Sequence, residues 1–456
     1  MRRVVKVSRI RIIITIIVVV LTTLLTGCTG KEPNEIAYVV ALGIDSTDDD
    51  NYKITIQYAN TTQISGGASE SGGKAGSEIV DNVTIEAPNI YAGVGLANNI
   101  VSKSFSMSHA KLIVFSKEIA EKGVKDMIET LVRSEEIRPD VFIAVANTTA
   151  NDYLTSVNPE MEVNPAQYYQ LIYQKNQLVG IPDGQLREFF TGLYTDNYDS
   201  ILPVAGVIEG AGGNSQNDDK GQSKDGQNEG SEGSSESLDS FESKSSDDKD
   251  ENEKEKDAEK NTSKYEYDIK NYVGGETAIE KKNKAEAIGA AVFEKDKMVG
   301  ELGEVETEIC KMLKGDYTYS YLTYYNNDTP DIPITVKTTQ QKKLKYKIDT
   351  DKKTVDIELY IESDLYSLPA DYNVENKIED FERDVANYTS SACTEFINNF
   401  TKKYNSDILK LNEKVKYKFL TNNQYNWFKK NVGWSEYKFS VCTNFKVRRT
   451  GLIVRE

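Results

Sequence analysis

The residue with the clearest chemistry is Cys28, which ends the stretch Leu25-Thr26-Gly27-Cys28. Small residues before a cysteine let the backbone enter the groove of a peptidase. The thiol is the only side chain in this stretch that is nucleophilic enough to take a diacylglyceryl group. The four residues have the form of a lipobox, and they predict that Cys28 is lipidated in an exported protein.

The segment that must deliver Cys28 to a membrane comes directly before it. The run 12–25 is apolar except for three threonines, and it is too short for a comfortable membrane span, which needs roughly 20 residues. This pattern is typical of a signal peptide, here over residues 1–27. An uncleaved signal anchor, with Cys28 incidental, is the alternative. The run follows a basic start that contains no acid: Arg2, Arg3, Lys6, Arg9 and Arg11.

The charge of the chain excludes some partners. The formal net charge is -17, and without the signal peptide 50 Lys and Arg face 72 Asp and Glu. A chain this acidic repels nucleic acid and anionic lipid headgroups. We therefore expect no nucleic-acid binding and no broad electrostatic membrane patch. Attachment to a membrane must come from the lipid or from a specific partner.

Residues that could perform catalysis are scarce. His109 is the only histidine, so multi-histidine metal sites are excluded, and its place before a strand favours a turn role. No G-x-S-x-G motif is present, and the glycine-rich stretch around Lys74 lacks the spacing of a phosphate loop. No cofactor or metal is predicted. The scattered residues Cys310, Cys393 and Cys442 are expected to be three buried free thiols, although spacing leaves a disulfide open.

Strand-like and helix-like patterns alternate along the chain and predict an α/β (α+β) fold. We expect several mixed, largely antiparallel sheets covered by helices, in modular domains in series. The predicted domains are an N-terminal α/β domain over 28–208, an acidic disordered linker or insertion over 209–264, and a C-terminal domain over 265–456. The C-terminal domain includes a long amphipathic helix at 374–404. The residues 117–134 are also expected to form one amphipathic helix.

Several segments, in order along the chain, match motifs of one protein family: 41–45 (ALGID), 105–115 (FSMSHAKLIVF), 132–138 (VRSEEIR), 289–302 (GAAVFEKDKMVGEL), 405–409 (NSDIL) with Trp427, and 448–451 (RRTG). Together they resemble the Ger(x)C family, the lipoprotein C subunits of nutrient germinant receptors in spore-forming bacteria. The most specific match is the hairpin 289–302. Ser134 stands where the family motif usually has Asp, and residues 409–413 lack the family's glycines and aromatics after Asp407.

The resemblance implies a non-enzymatic subunit that is lipid-anchored on the outer face of the spore inner membrane. It implies two polytopic partners, a soluble-domain-bearing A subunit and a permease-like B subunit. Most residues of the family motifs are expected to serve the fold. The candidate partner-contact residues lie in a charged turn and in the hairpin: Arg133, Glu135, Glu136, Arg138, Asp296 and Lys297.

Three other kinds of protein compete with this interpretation. A substrate-binding lipoprotein of a membrane importer would have two doubly wound lobes with a cleft between them. An extracytoplasmic enzyme, such as a wall hydrolase, would need a carboxylate pair hidden among the acids. A generic lipoprotein of the spore envelope is the third. The C-terminal run of strands, followed by one long helix, argues against the importer protein. The single histidine and the missing G-x-S-x-G motif argue against the enzyme.

Overall fold

The computed structural model describes most of the chain outside its start, its end and an acidic internal stretch. Cys28 and the predicted linker 209–264 lie outside the described residues. In the described part, no helix has both the length and the apolar character that crossing a membrane requires. The described residues are 14–17, 35–49, 51–59, 80–157, 164–174, 180–195, 197–208, 271–277, 283–325, 333–340, 343–367, 377–404 and 406–450.

Strands and helices alternate in the first half of the chain, and strands dominate before the long helix in the second. The strands are β1 Ile36–Ser46, β2 Tyr52–Ala59, β3 Val80–Ala87, β4 Ser104–Ser106, β5 Leu112–Ser116, β6 Phe142–Ala146, β7 Ile201–Val207, β8 Ala285–Glu294, β9 Lys297–Leu302, β10 Tyr319–Tyr325, β11 Pro333–Gln340, β12 Lys345–Asp349, β13 Thr354–Ser367 and β14 Lys438–Arg449. The helices are α1 Ile90–Ala97, α2 Lys117–Lys122, α3 Lys125–Val132, α4 Ala150–Ser156, α5 Pro165–Tyr173, α6 Leu186–Thr195, α7 Glu304–Lys314, α8 Ile378–Lys403, α9 Leu411–Val415 and α10 Asn422–Asn431.

A nine-stranded mixed sheet forms the larger layer. Its order is β3-β2-β1-β5-β6-β7-β8-β9, and β4 pairs with β1. The central strands β1, β5, β6 and β7 run parallel, and antiparallel pairs flank them on both sides. Every residue of β5 and β6 is buried, as expected for parallel strands that are covered on both faces. Separate apolar clusters pack on the two faces of this sheet.

The sheet takes strands from both sides of the acidic stretch. Strand β8 pairs antiparallel with β7, so that Leu202 lies opposite Ala291 and Val207 opposite Ala285. The hairpin β8–β9 therefore forms one edge of the sheet, and the other strands of the sheet come from before the acidic stretch. The predicted domain boundaries at 208 and 265 stay predictions. The sheet contains strands from both of the predicted domains.

A five-stranded sheet and the long helix α8 form the second layer. The sheet order is β10-β11-β13-β12, with β14 parallel to β13. Burial alternates along β14, which turns one face to the helix and the other to solvent. Asn398 of α8 fixes this packing, because its side chain donates to the carbonyl of Phe439 (3.0 Å) and accepts from the Phe439 amide (3.1 Å). The predicted mixed α/β fold class is confirmed.

Two local expectations are wrong. The segment 117–134 is two helices, α2 and α3, because Gly123 adopts a φ of 123° that ends the first helix. The thiols of Cys310 and Cys393 are free and buried as expected, but Cys442 is exposed. The alternation of β14 explains the difference, since Cys442 falls on the solvent-facing side of the strand.

Candidate functional site

The charged turn after α3 was predicted to contact a partner, and it lies at the surface. Arg133 caps α3, with its side chain 79% exposed and paired to Glu129 at 2.9 Å. Glu135 and Arg138 are also exposed. An exposed ion pair of this kind contributes little to stability. These three side chains are therefore accessible to another protein.

Two other residues of this turn have structural roles. The Ser134 hydroxyl accepts hydrogen bonds from the amides of Glu136 (3.2 Å) and Ile137 (3.3 Å). A serine oxygen can thus supply the acceptor that an aspartate supplies in the family motif. The Glu136 carboxylate accepts from the Met107 amide at 2.6 Å. Glu136 therefore ties the turn to the segment before β5 and is less available to a partner than its neighbours.

The other predicted partner-contact residues, Asp296 and Lys297, lie in the tight turn of the β8–β9 hairpin. The carbonyl of Asp296 accepts a hydrogen bond from the amide of Val124 at 3.0 Å. Lys297 is exposed. Val124 immediately precedes α3 and Arg133 immediately follows it, so the two predicted groups lie at opposite ends of this helix. Eight helical residues separate them by roughly 12 Å along the helix axis.

Asp45, which ends the ALGID segment, holds a helix in place. Its two carboxylate oxygens accept from the amides of Ala150 (2.6 Å) and Asn151 (3.0 Å) at the start of α4. A carboxylate at this position satisfies amides that have no partner within the helix and complements the helix dipole. Burial raises the pKa of Asp45, and the two amides oppose that rise. The motif residue therefore serves the fold.

The partly buried carboxylate of Asp199 joins three segments of the chain, and sequence reasoning missed this contact. Asp199 accepts from the amide of Lys295 (2.9 Å) and from the amide of Asp407 (2.8 Å). The Asp199 amide in turn donates to the Asp407 carbonyl at 3.2 Å. The loop before β7, the β8–β9 turn and the segment after α8 are thus held together. Asp407 appeared in the sequence only as part of a motif, and no local pattern marks Asp199.

The Asp407 carboxylate is itself buried and caps α9. It accepts from the amides of Leu411 and Asn412, both at 2.8 Å. Burial raises the pKa of Asp407 to about 7, and the nearby Asp199 carboxylate adds to the rise. Burial also raises the pKa of Asp199. Both carboxylates accept hydrogen bonds from backbone amides, so their role is structural.

Two open cavities, of about 360 Å³ and 560 Å³, lie beside Tyr198 and Asp199. Four of the charged residues that line the smaller one form two ion pairs, since Lys410 lies 3.3 Å from Glu188 and Lys314 lies 3.5 Å from Asp316. Asp183, Asp199 and Lys311 also line this cavity. Among the described residues, no group of three or more His, Cys, Asp or Glu side chains is placed to hold a metal ion. His109 packs edge-on against Tyr38 and contacts Ser108 in a surface turn.

Comparisons with known proteins place the chain in a family. Residues 30–207 match the family described as "Spore germination protein N-terminal domain", and residues 288–451 match "Spore germination B3/ GerAC like, C-terminal". Together the two matches cover most of the chain, in the expected order. The chain therefore belongs to the Ger(x)C family of spore germination proteins.

The chain is also similar to individual known proteins. The chain is 26% identical to spore germination protein KC of Bacillus subtilis (strain 168) over 35% of the chain and 42% of that protein. It is 28% identical to putative spore germination protein YfkR of the same organism, over 32% of the chain and 37% of that protein. The matches thus span about two-fifths of the length of these relatives. The crystal structure of the GerBC protein aligns with 89% of this chain and 96% of its own, at 15% identity and a TM-score of 0.47.

Proposed function

We propose that the protein is the lipid-anchored subunit of a spore nutrient germinant receptor. It is held by Cys28 on the outer face of the spore inner membrane, and it works with polytopic A and B subunits. The observation that carries the proposal is the match to both germination family models, together with a lipobox at Cys28. A lipid anchor confines the protein to the plane of its partners, which raises their effective concentration.

The same proposal assigns no enzymatic activity to the subunit. The buried carboxylates of Asp45 and Asp407 and the partly buried carboxylate of Asp199 each accept hydrogen bonds from backbone amides. The one histidine packs on Tyr38 at the surface. The importer alternative would place a ligand cleft between two doubly wound lobes. The described structure instead pairs one nine-stranded sheet with a smaller sheet and a long helix.

Germination of spores that carry Cys28→Ala tests this function. Loss of refractility is followed after adding nutrients and, separately, after adding a non-nutrient agent. We expect the response to one set of nutrients to be lost and the non-nutrient response to be unchanged. Cys442→Ala, which removes an exposed cysteine elsewhere, is the matched control and should germinate normally. Normal nutrient responses by Cys28→Ala spores, in a strain with no redundant copy, would refute the receptor role.

We further propose that the exposed charges beside α3 contact the partner subunits. Arg133, Glu135 and Arg138 support this at one end of the helix, and Lys297 supports it at the other. The same germination assay applies to Arg138→Glu, with Lys352→Glu in the exposed β12–β13 turn as the charge-matched control. A selective loss of the nutrient response in the first variant is expected. An equal response of the two variants would count against this surface.

A further inference from the structure

Three large apolar side chains project from one short segment near the end of the chain. Leu420 is 95% exposed, Tyr417 is 77% exposed and Trp427 is 69% exposed. Exposing so much apolar surface to water costs free energy. Burying these side chains in a bilayer or against another protein would recover it. Scattered single residues of this kind need no explanation, but three within eleven positions mark an interaction surface.

A cluster of rings beneath these side chains holds the segment in place. The ring of Phe419 lies 4.9 Å from that of Phe428, and 5.9 Å from that of Tyr425. Phe428 also contacts the buried Trp434, with ring centroids 6.1 Å apart. The loop that carries Leu420 is thus packed against α10, which carries Trp427. The exposed side chains therefore lie on a supported platform.

The local charge of this segment is opposite to that of the whole protein. Residues 410–434 contain six lysines and a single acid, Glu413, in a chain whose net charge is -17. Some of these lysines bind other parts of the protein, as Lys418 does by donating to the carbonyl of Ile348. Lys416 and Lys430 are exposed. Lys416 precedes Tyr417, and Lys430 lies one helical turn after Trp427, so both charges border the apolar side chains.

We propose that this aromatic–basic surface, formed by Lys416, Tyr417, Leu420, Trp427 and Lys430, binds the interface of an anionic lipid bilayer. Tryptophan and tyrosine rings favour the depth of the lipid headgroups. Lysines beside them attract anionic headgroups. The side chain of Leu420 is too exposed to belong to the protein core, and it can insert where the headgroups meet the acyl chains. This attachment is separate from the proposed lipid anchor, because none of its residues depends on Cys28.

Charge and shape together favour an anionic bilayer as the occupant. The excess of lysines in this segment complements the negative charge of an anionic lipid surface. A fluid bilayer also needs no complementary shape, so it accepts protruding side chains that form no groove. Contact with such a bilayer would orient the protein in a way that a single flexible tether does not.

The two tryptophans of the chain make a direct test, since Trp427 is exposed and Trp434 is buried. The chain 29–456, which carries no lipid, is mixed with vesicles of phosphatidylcholine alone or with about one third phosphatidylglycerol. We expect a blue shift of tryptophan emission and co-sedimentation with the anionic vesicles only. Trp427→Phe should remove the shift. No binding to the anionic vesicles, or equal binding to both kinds, overturns the proposal and leaves a protein partner as the occupant.

Matched variants separate the surface from general effects of charge and exposure. Lys430→Glu should weaken binding to anionic vesicles about 25-fold, since each lysine near such a surface contributes about fivefold. Leu420→Ser should weaken it by roughly tenfold. The controls are Lys125→Glu and Tyr366→Ser, which change exposed residues elsewhere and should bind like the unchanged chain. A loss in the controls equal to that in the surface variants also overturns the proposal.

Discussion

The buried carboxylate of Asp407 predicts an unusual dependence of stability on pH. Its pKa is about 7 in the folded protein, against 3.8 ordinarily, because burial disfavours the charged form. A group whose pKa is raised on folding adds stability that is fully present below its unfolded pKa and is lost as the pH rises through the folded value. Asp407 therefore makes the free energy of unfolding fall as the pH rises from about 4 to about 7.

The size of the effect follows from the shift. One pKa unit corresponds to about 1.4 kcal/mol, so the full window is worth about 4 kcal/mol as an upper limit. Asn in place of Asp407 keeps one oxygen that accepts an amide hydrogen bond but cannot titrate. The difference in unfolding free energy between the unchanged chain and Asp407→Asn should therefore shrink by up to about 1.4 kcal/mol per pH unit across this window.

Urea unfolding, followed by tryptophan emission at a series of pH values, measures this difference. Other titrating groups contribute equally to both proteins and cancel, apart from Asp199 and Lys414, whose charges interact with that of Asp407. Asp351→Asn, which removes an acid from an exposed turn, is the control and should give a constant difference. A difference for Asp407→Asn that is also constant with pH would refute the reasoning.

Two further predictions concern local geometry. Gly123→Ala should destabilise the fold by about 1–3 kcal/mol in the same assay, because the φ of 123° strains any other residue; the added carbon would also meet the Asp296 carboxylate at 2.7 Å. Gly95→Ala, in α1 with open space around it, is the control and should be neutral or stabilising. An equal loss of stability in the two variants would contradict the role of Gly123. Under native conditions an alkylating reagent should label Cys442 much faster than Cys310, because Cys310 is buried and burial raises its pKa to about 12. Equal labelling rates would contradict the exposure of Cys442 on β14.

Sequence patterns predicted the parts of the fold that depend on local periodicity. The apolar runs of β5 and β6 and the long stripe of α8 are each visible within a few residues of chain. The break at Gly123 was missed because the apolar spacing continues across it, and only the positive φ ends the helix. The contact of Asp199 with Asp407 joins residues 208 positions apart. No local pattern reports such a contact.

The aromatic–basic surface was missed for a different reason. Net charge sums over the whole chain, so it hides a local excess of lysines. The expectation that no broad electrostatic patch exists follows from that sum alone. A surface of five residues depends on which side chains the fold leaves exposed. Their periodicity does not show this, since Trp427 and the buried Tyr425 are only two positions apart.

The pairing of β7 with β8 also bears on how the chain tolerates changes in length. Val207 and Ala285 lie opposite each other, so the chain leaves the sheet and returns to it at one place. For a flexible segment whose ends are fixed close together, each doubling of length costs only about 0.6 kcal/mol of closure entropy. Residues 271–277 also pack on this sheet, since the Gly274 amide donates to the Ile288 carbonyl at 2.9 Å, so changes in length within 210–270 should leave the strand register unchanged. This junction is a natural position for a fluorescent reporter domain that would follow the protein without disturbing either sheet.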